Sequence, residues 1–306
     1  MLHLRGVSQF KSETGRQLFR SVNSQLLLKD YAYGTSLAYP EVIPSAQKDT
    51  IGGIQLTAMQ YLATLIRRFR KAVDYTSMRG KDAVALQEVL ADAVELETTF
   101  KMSSKLIRPN TVVIHTDSSC LFGDTYAFFP TIPIAAAWTL FWHLRLRLIR
   151  LIVDCITILN SQFDSGRRVP AANAWVPALT ECGDNVCAAI PFLIGEVDVQ
   201  GDFLPQAQLH LRGGFYGCMT GMATLNSVIT TPELDYARPG MRRWAFGRLL
   251  DIGNRVGLKQ AHAFHRLYHT RLQANLSLRN LCLAEKLDVS PTTIGDGIAS
   301  QIQSNN

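Results

Sequence analysis

Apolar residues recur at intervals of three and four along most of this chain, the period of an α-helix buried on one side. In QLTAMQYLATLIRRFRKAVD (55–74) Met59, Leu62, Leu65, Ile66, Phe69 and Val73 share one stripe, and Arg67, Arg70 and Lys71 lie on another. Between 82 and 107 the apolar set is Leu86, Val89, Leu90, Ala93, Val94, Leu96 and Phe100, while Glu88, Asp92, Glu95 and Thr99 are expected in water. Asp82, after the break at Gly80, is placed to cap that helix. Further helices are predicted at 134–160, from about 171 to 189, and at 206–229, 238–256 and 259–286. Alternation of period two is confined to short runs such as TVVIHT (111–116), too isolated to build a sheet. The predicted fold class is all-α.

No internal repeat and no biased tract breaks the pattern. The candidate breaks are YPEVIPSAQKDTIGG (39–53) and RPNTVVIHTDSSCLFGD (108–124), and neither has the composition of a linker. The reading is therefore one helical domain over 1–306, with a sub-boundary near 108–124.

Composition narrows the class. Over 306 residues, 47% hydrophobic and 18% charged content exclude a disordered or low-complexity protein. Thirty-one basic against 25 acidic residues give +6, which permits a polyanionic partner without requiring one. From Arg238 to Arg279 there are nine Lys/Arg and one acid, Asp251, a local +8. The start, MLHLRGVSQFK, does not read as a signal peptide, so the six scattered cysteines are expected as reduced thiols in a core. The 18 charge-free residues TYAFFPTIPIAAAWTLFW (125–142) reach the length of a membrane span. Pro130 and Pro133 interrupt them, and Arg145, Arg147 and Arg150 follow, so a loop and then a buried helix from about Ile134 is the better reading.

Candidate chemistry is sparse. In CGDNVCAAIPFLIG (182–195) Cys182 and Cys187 stand five apart, which on a helix turns them about 140° from each other. That spacing suits neither a zinc knuckle, which wants C-x2-C pairs, nor a redox pair. They are expected to bind no zinc and to form no disulfide. His262, His265 and His269 share a helix face, yet no carboxylate stands near, and Lys259, Arg266 and Arg271 would repel a cation. No metal site is predicted. GxGxxG, GxxxxGK[ST], GxSxG and clustered aspartates are absent, so no catalytic residues are predicted and the chain is not expected to be an enzyme. In RPGMRRWAFGRLLDIGNRVGLKQ (238–260) arginines interleave with Trp244 and Phe246. Arg242, Arg243, Arg248 and Arg255 form a candidate basic contact surface for phosphates, although an amphipathic helix with solvated arginines gives the same pattern.

Several stretches, taken in order, resemble the helical region of the fungal zinc-cluster transcription factors, C-terminal to their DNA-binding module. HLRGVSQF…GRQLFRSVNSQLLL (3–28) is similar to that family's H-x-R-G…G-R-x-L-F segment. AAAWTLFWHLRLRLIRLI (135–152) resembles its W-N-x-y-R-a-x-R helix, with Trp138 in the tryptophan place and Arg145 in that of the second arginine. Thr139 and Trp142 replace the usual asparagine and first arginine. TECGDNVCAAIPFLIG resembles its I-C-A-S-V-P-f-x-L-G run, with Cys187, Pro191 and Gly195 in register. GGFYGCMTGMATLNS (213–227), without the family's W-P pair, and MRRWAFGRLLDIGNRVGLKQA (241–261), which contains Trp244, are similar to two later segments.

The resemblance covers most of the chain and implies a nuclear regulatory domain. Its six-cysteine zinc module is absent from this sequence, which has no C-x2-C pair and opens on a segment that normally lies well inside such proteins. The expectation is the regulatory half alone, a short gene product or an incomplete one, with no cofactor. Cys187 becomes a packed thiol at the end of a core helix that Pro191 terminates and Gly195 turns. Trp138 and Arg145, seven apart on one face, are expected to anchor the central helix, Arg145 needing a carboxylate or carbonyl partner. Expected partners are proteins of the transcription machinery, a second copy of the chain or a small-molecule effector. Leu2, Leu4, Val7 and Phe10 supply an apolar patch for such contacts. DNA binding is expected to be weak, non-specific and salt-dependent, and no membrane is involved. Two other classes stay open: a helical enzyme or ligand carrier around a central apolar cavity, and a membrane-associated protein using 125–159.

Overall fold

The computed structural model describes residues 51–79, 83–103, 110–113, 121–162, 172–204 and 214–257, with 259, 261–263, 265 and 266 beyond them. The expectations for Leu2, Leu4, Val7, Phe10, Asp82, Cys120, His269 and Cys282 lie outside these residues, as do most of 259–286 and part of 206–229. The described chain is mostly helical, as its periodicity predicts. In order come α1 (Ile51–Arg79), α2 (Ala83–Ser103), β1 (Asn110–Val113), β2 (Thr125–Phe128) and α3 (Ile132–Gln162). A 3-10 turn (Ala172–Trp175) leads into α4 (Val176–Leu193), then α5 (Gly214–Ile229), α6 (Leu234–Ala237) and α7 (Met241–Val256). The chain divides into two compact units at Arg248/Leu249, within α7.

In the first unit α3 is the hub. It packs against α1, α2, α4 and α5. A helix enclosed on that many sides must be apolar nearly all round, and from Ala135 to Leu159 α3 is buried at most positions. Its first turn is set locally: the Ile134 amide donates to Thr131 Oγ1 at 3.5 Å, and Pro133 falls where an amide hydrogen is not needed. No helix among the described residues is long and apolar enough to cross a membrane.

Two details differ from the sequence reading. Residues 111–113, the first of the run at 111–116, have a partner, because β1 pairs antiparallel with β2, Asn110 opposite Phe128 and Val113 opposite Thr125. β2 is the TYAF of the charge-free stretch, and it packs on α4. Pro191 does not terminate α4, which runs on to Leu193. Lying in the last turn, Pro191 costs only the one bond its missing amide would have made. The helix stops at Gly195, whose φ of 76° is open to glycine at little cost. There the Gly195 amide donates to the Phe192 carbonyl at 3.1 Å, and the Glu196 amide to that of Pro191 at 2.8 Å. The start of α5 then passes so close to this end that a methyl group on Gly217 would overlap the Leu193 carbonyl.

In the second unit Gly257, with φ 70°, follows α7, and helical residues resume by Lys259. The His262 ring lies over Gly253, where a β-carbon would meet it at 2.9 Å.

Candidate functional site

The most distinctive chemistry of the described residues is polar and internal. Arg145 on α3 is 2% exposed and Glu97 on α2 is 5% exposed. Arg145 Nε donates to the two Glu97 carboxylate oxygens at 3.0 and 3.2 Å, and Nη2 donates to Oε1 at 2.8 Å. The remaining arm, Nη1, reaches Glu181 on α4 at 2.9 Å, and that carboxylate is half-exposed. One guanidinium therefore ties three helices, using the fork that suits arginine to carboxylates. Burial works against the Arg145 charge, but the hydrogen bonds and charge of Glu97 outweigh it and hold the guanidinium protonated. Burial likewise pushes the Glu97 carboxyl above its ordinary range, and Arg145 pulls it back.

Glu97 was placed by no apolar count, yet its position carries a signal. It follows Ala93 by four and precedes Phe100 by three, so it sits in the stripe of buried Leu86, Val89, Ala93 and Phe100. Val94, read as part of that stripe, is exposed instead.

Two turns nearer the start of α3, Trp138 packs against Phe129 at a centroid distance of 6.4 Å and against Trp142 at 5.3 Å. The Arg145 guanidinium lies 5.2 Å over the Trp142 ring, so the motif tryptophan and arginine belong to one continuous cluster. Between them His143 is buried, its Nδ1 2.9 Å from Ser227 Oγ on α5. Burial first, and the charge of Arg147 second, lower its pKa to about 3, so the ring is neutral at physiological pH. Nothing in the spacing of this histidine marks it in the sequence.

The other expected positions scatter. Cys182 and Cys187 are free buried thiols on α4, both held well above the ordinary thiol range by burial. That makes them poor nucleophiles and poor thiolate ligands. Trp244 leans on Phe122 at 5.8 Å. Of the candidate basic surface, Arg242, Arg243 and Arg248 do not share one environment. Arg248 points inward, 2.5 Å from the buried Glu196. Arg242 donates to the Ile229 carbonyl at 2.7 Å and pairs with Asp235. Arg243 is exposed, and the side chain of Arg255 lies outside the described set. Among the described residues no cluster of histidine, cysteine or acids could hold a metal ion.

No family model, curated protein or solved structure matches this chain.

Proposed function

We propose that this chain is a regulatory helical domain of the fungal zinc-cluster type, acting in the nucleus by contact with transcription proteins, by self-association or by sensing a small effector. The observation that carries the reading is the Arg145–Glu97–Glu181 network, because the motif arginine is spent on holding three helices together. A domain whose interior charges are committed to its own architecture is suited to presenting surfaces rather than to turning over substrate. The pairing of His143 with Ser227 fits the same view, since a histidine with a pKa of about 3 is a poor general base at neutral pH. Inward Arg248 and tethered Arg242 leave less of the basic strip for phosphates, which supports weak, non-specific DNA contact.

The test fuses the chain to an unrelated DNA-binding module and measures a reporter, beside gel shifts at physiological salt and sedimentation. A change in reporter output, with no sequence-selective shift, is expected. Sequence-selective binding by the monomeric chain alone would overturn the proposal.

A further inference from the structure

Helices α1 and α2 pack against each other and on the hub, and the faces they turn away from it are sorted by charge. The buried line of α2 includes Leu86, Val89, Ala93 and Phe100. At about 100° per residue the opposite line holds Val84, Ala91, Glu95 and Met102, with Glu88 on the flank toward α1. Val84 and Met102, about five turns apart on that line, are 65% and 62% exposed. On α1 the line opposite Leu62, Leu65 and Ala72 holds Thr64, Arg67 and Lys71, all exposed. Of the eight large apolar side chains exposed among the described residues, four (Tyr61, Val84, Val94 and Met102) belong to these two helices, more than a solvated surface needs. Cations thus mark the outer line of α1, and acids with apolar residues that of α2. Arg68 reaches both Glu88 and Asp92, which sets Arg67 and Lys71 level with the 88–95 stretch beside them.

We infer that this face is a homodimer interface, in which α1 of one copy lies along α2 of the other. A two-fold axis running over the seam between the helices, parallel to them, carries α1 across onto α2 without changing its height. Arg67 and Lys71 then oppose the partner's Glu88 and Glu95, and the symmetry repeats the match. Ala91, small and level with Arg67, leaves room for the approach, while Val84 and Met102 supply apolar contact. The inference rests on the self-association arm of the proposed function and names the face that performs it. A polyanion fits less well, since a phosphate chain laid on Arg67 and Lys71 would also lie within reach of the Glu88 and Glu95 charges. A second copy answers both signs at once. A face about 30 Å long and 20 Å wide on each copy hides roughly 1,200 Å² in all, the lower limit of specific interfaces. Micromolar affinity fits that size, so the face is open to water in dilute chain.

Sedimentation of the full chain at about 50 μM and physiological salt is the test. The parent is expected to dimerise, and to do so less tightly in about 1 M salt. Lys71→Glu opposes like charges, and Ala91→Arg adds bulk at the centre of the face. Each should raise the dimer dissociation constant about tenfold or more. Lys71→Glu combined with Glu88→Lys exchanges the signs and should restore the parent's constant. All three positions are exposed, and circular dichroism checks that each variant is folded. A monomeric parent, a dimer indifferent to Ala91→Arg, or a charge exchange that fails to restore what Lys71→Glu lost would each overturn the interface. Duplex DNA bound by a monomeric parent and released by Lys71→Glu would assign the strip to phosphates instead. Loss of the interface leaves regulation through other proteins or an effector standing. A silent reporter from a chain that dimerises removes the regulatory reading and leaves the interface.

Discussion

Helix α2 meets two arginines of neighbouring helices with its carboxylates, and the two contacts live in different media. Asp92 meets Arg68 of α1 at 2.5 Å, with the arginine side chain 39% exposed and Glu88 beside it at 3.4 Å. Glu97, five residues on and so about 140° round the helix, meets Arg145 in the core. Water competes for the outer pair and screens it, so its net contribution is small however short the contact. The inner pair has lost its water, and each partner depends on the other. The pair is thus a condition of the fold more than a gain over an apolar alternative, because desolvation offsets most of the attraction. Contact distance ranks the outer pair first, whereas burial reverses the order.

The comparison can be broken most directly by removing one inner partner. Arg145→Met leaves the Glu97 carboxylate buried and is expected to cost about 3–5 kcal/mol in urea unfolding at neutral pH. The deficit should shrink in acid, since burial holds the Glu97 carboxyl above its ordinary range and folding then favours the protonated form. Stability of this variant is present at low pH and lost as pH rises through that raised pKa. A deficit independent of pH would show that Glu97 is not desolvated.

Trp138→Ala tests the apolar end of the same cluster. Loss of a fully packed tryptophan costs about 3–5 kcal/mol, seen as a lower melting temperature. An unchanged melting temperature would deny that α3 is enclosed at this end.

His143 sharpens the contrast by titration. Its folded pKa of about 3 lies below the ordinary 6.5, so the unfolded chain takes up the proton first. This contribution is complete above pH 6.5 and is lost as pH falls through that window, with about 2 kcal/mol gone by pH 5. In His143→Gln that part of the acid slope should disappear from denaturant unfolding followed between pH 7 and 5. An unchanged slope would mean that the ring is solvated.

The outer pair should give the smallest effect. Arg68→Ala is expected to change stability by about 0.5 kcal/mol or less, and 1 M salt should erase the difference. A cost near that of Arg145→Met would remove the distinction between the two pairs.

How much of this was legible follows from what periodicity can carry. The hub helix, expected at 134–160 and found at 132–162, shows in the sequence because its apolar residues fill nearly every face, and the need of Arg145 for a carboxylate or carbonyl partner follows from its apolar neighbours. Which carboxylate answers it did not show, because Glu97 lies 48 residues away and resembles its solvated neighbours Glu88 and Glu95 unless its place in the stripe is counted. β2 is hidden in the sequence for another reason. TYAF has no charges to alternate and runs into Pro130, so only its pairing with β1 identifies it as a strand. Arg248 read as surface because its partner, Glu196, is remote in sequence and sits just beyond a helix end. In each case local pattern located the element, and a distant partner decided which way the polar residue faced.

A double-mutant cycle on Arg145 and Glu97 tests most directly the claim that one buried pair organises the hub. Arg145→Met, Glu97→Leu and the double variant are compared with the parent by urea unfolding at pH 7. The account predicts that both single changes are costly and that the double variant is no worse than the poorer single one, a coupling of about 2 kcal/mol or more. Costs that add to within about 0.5 kcal/mol would contradict it.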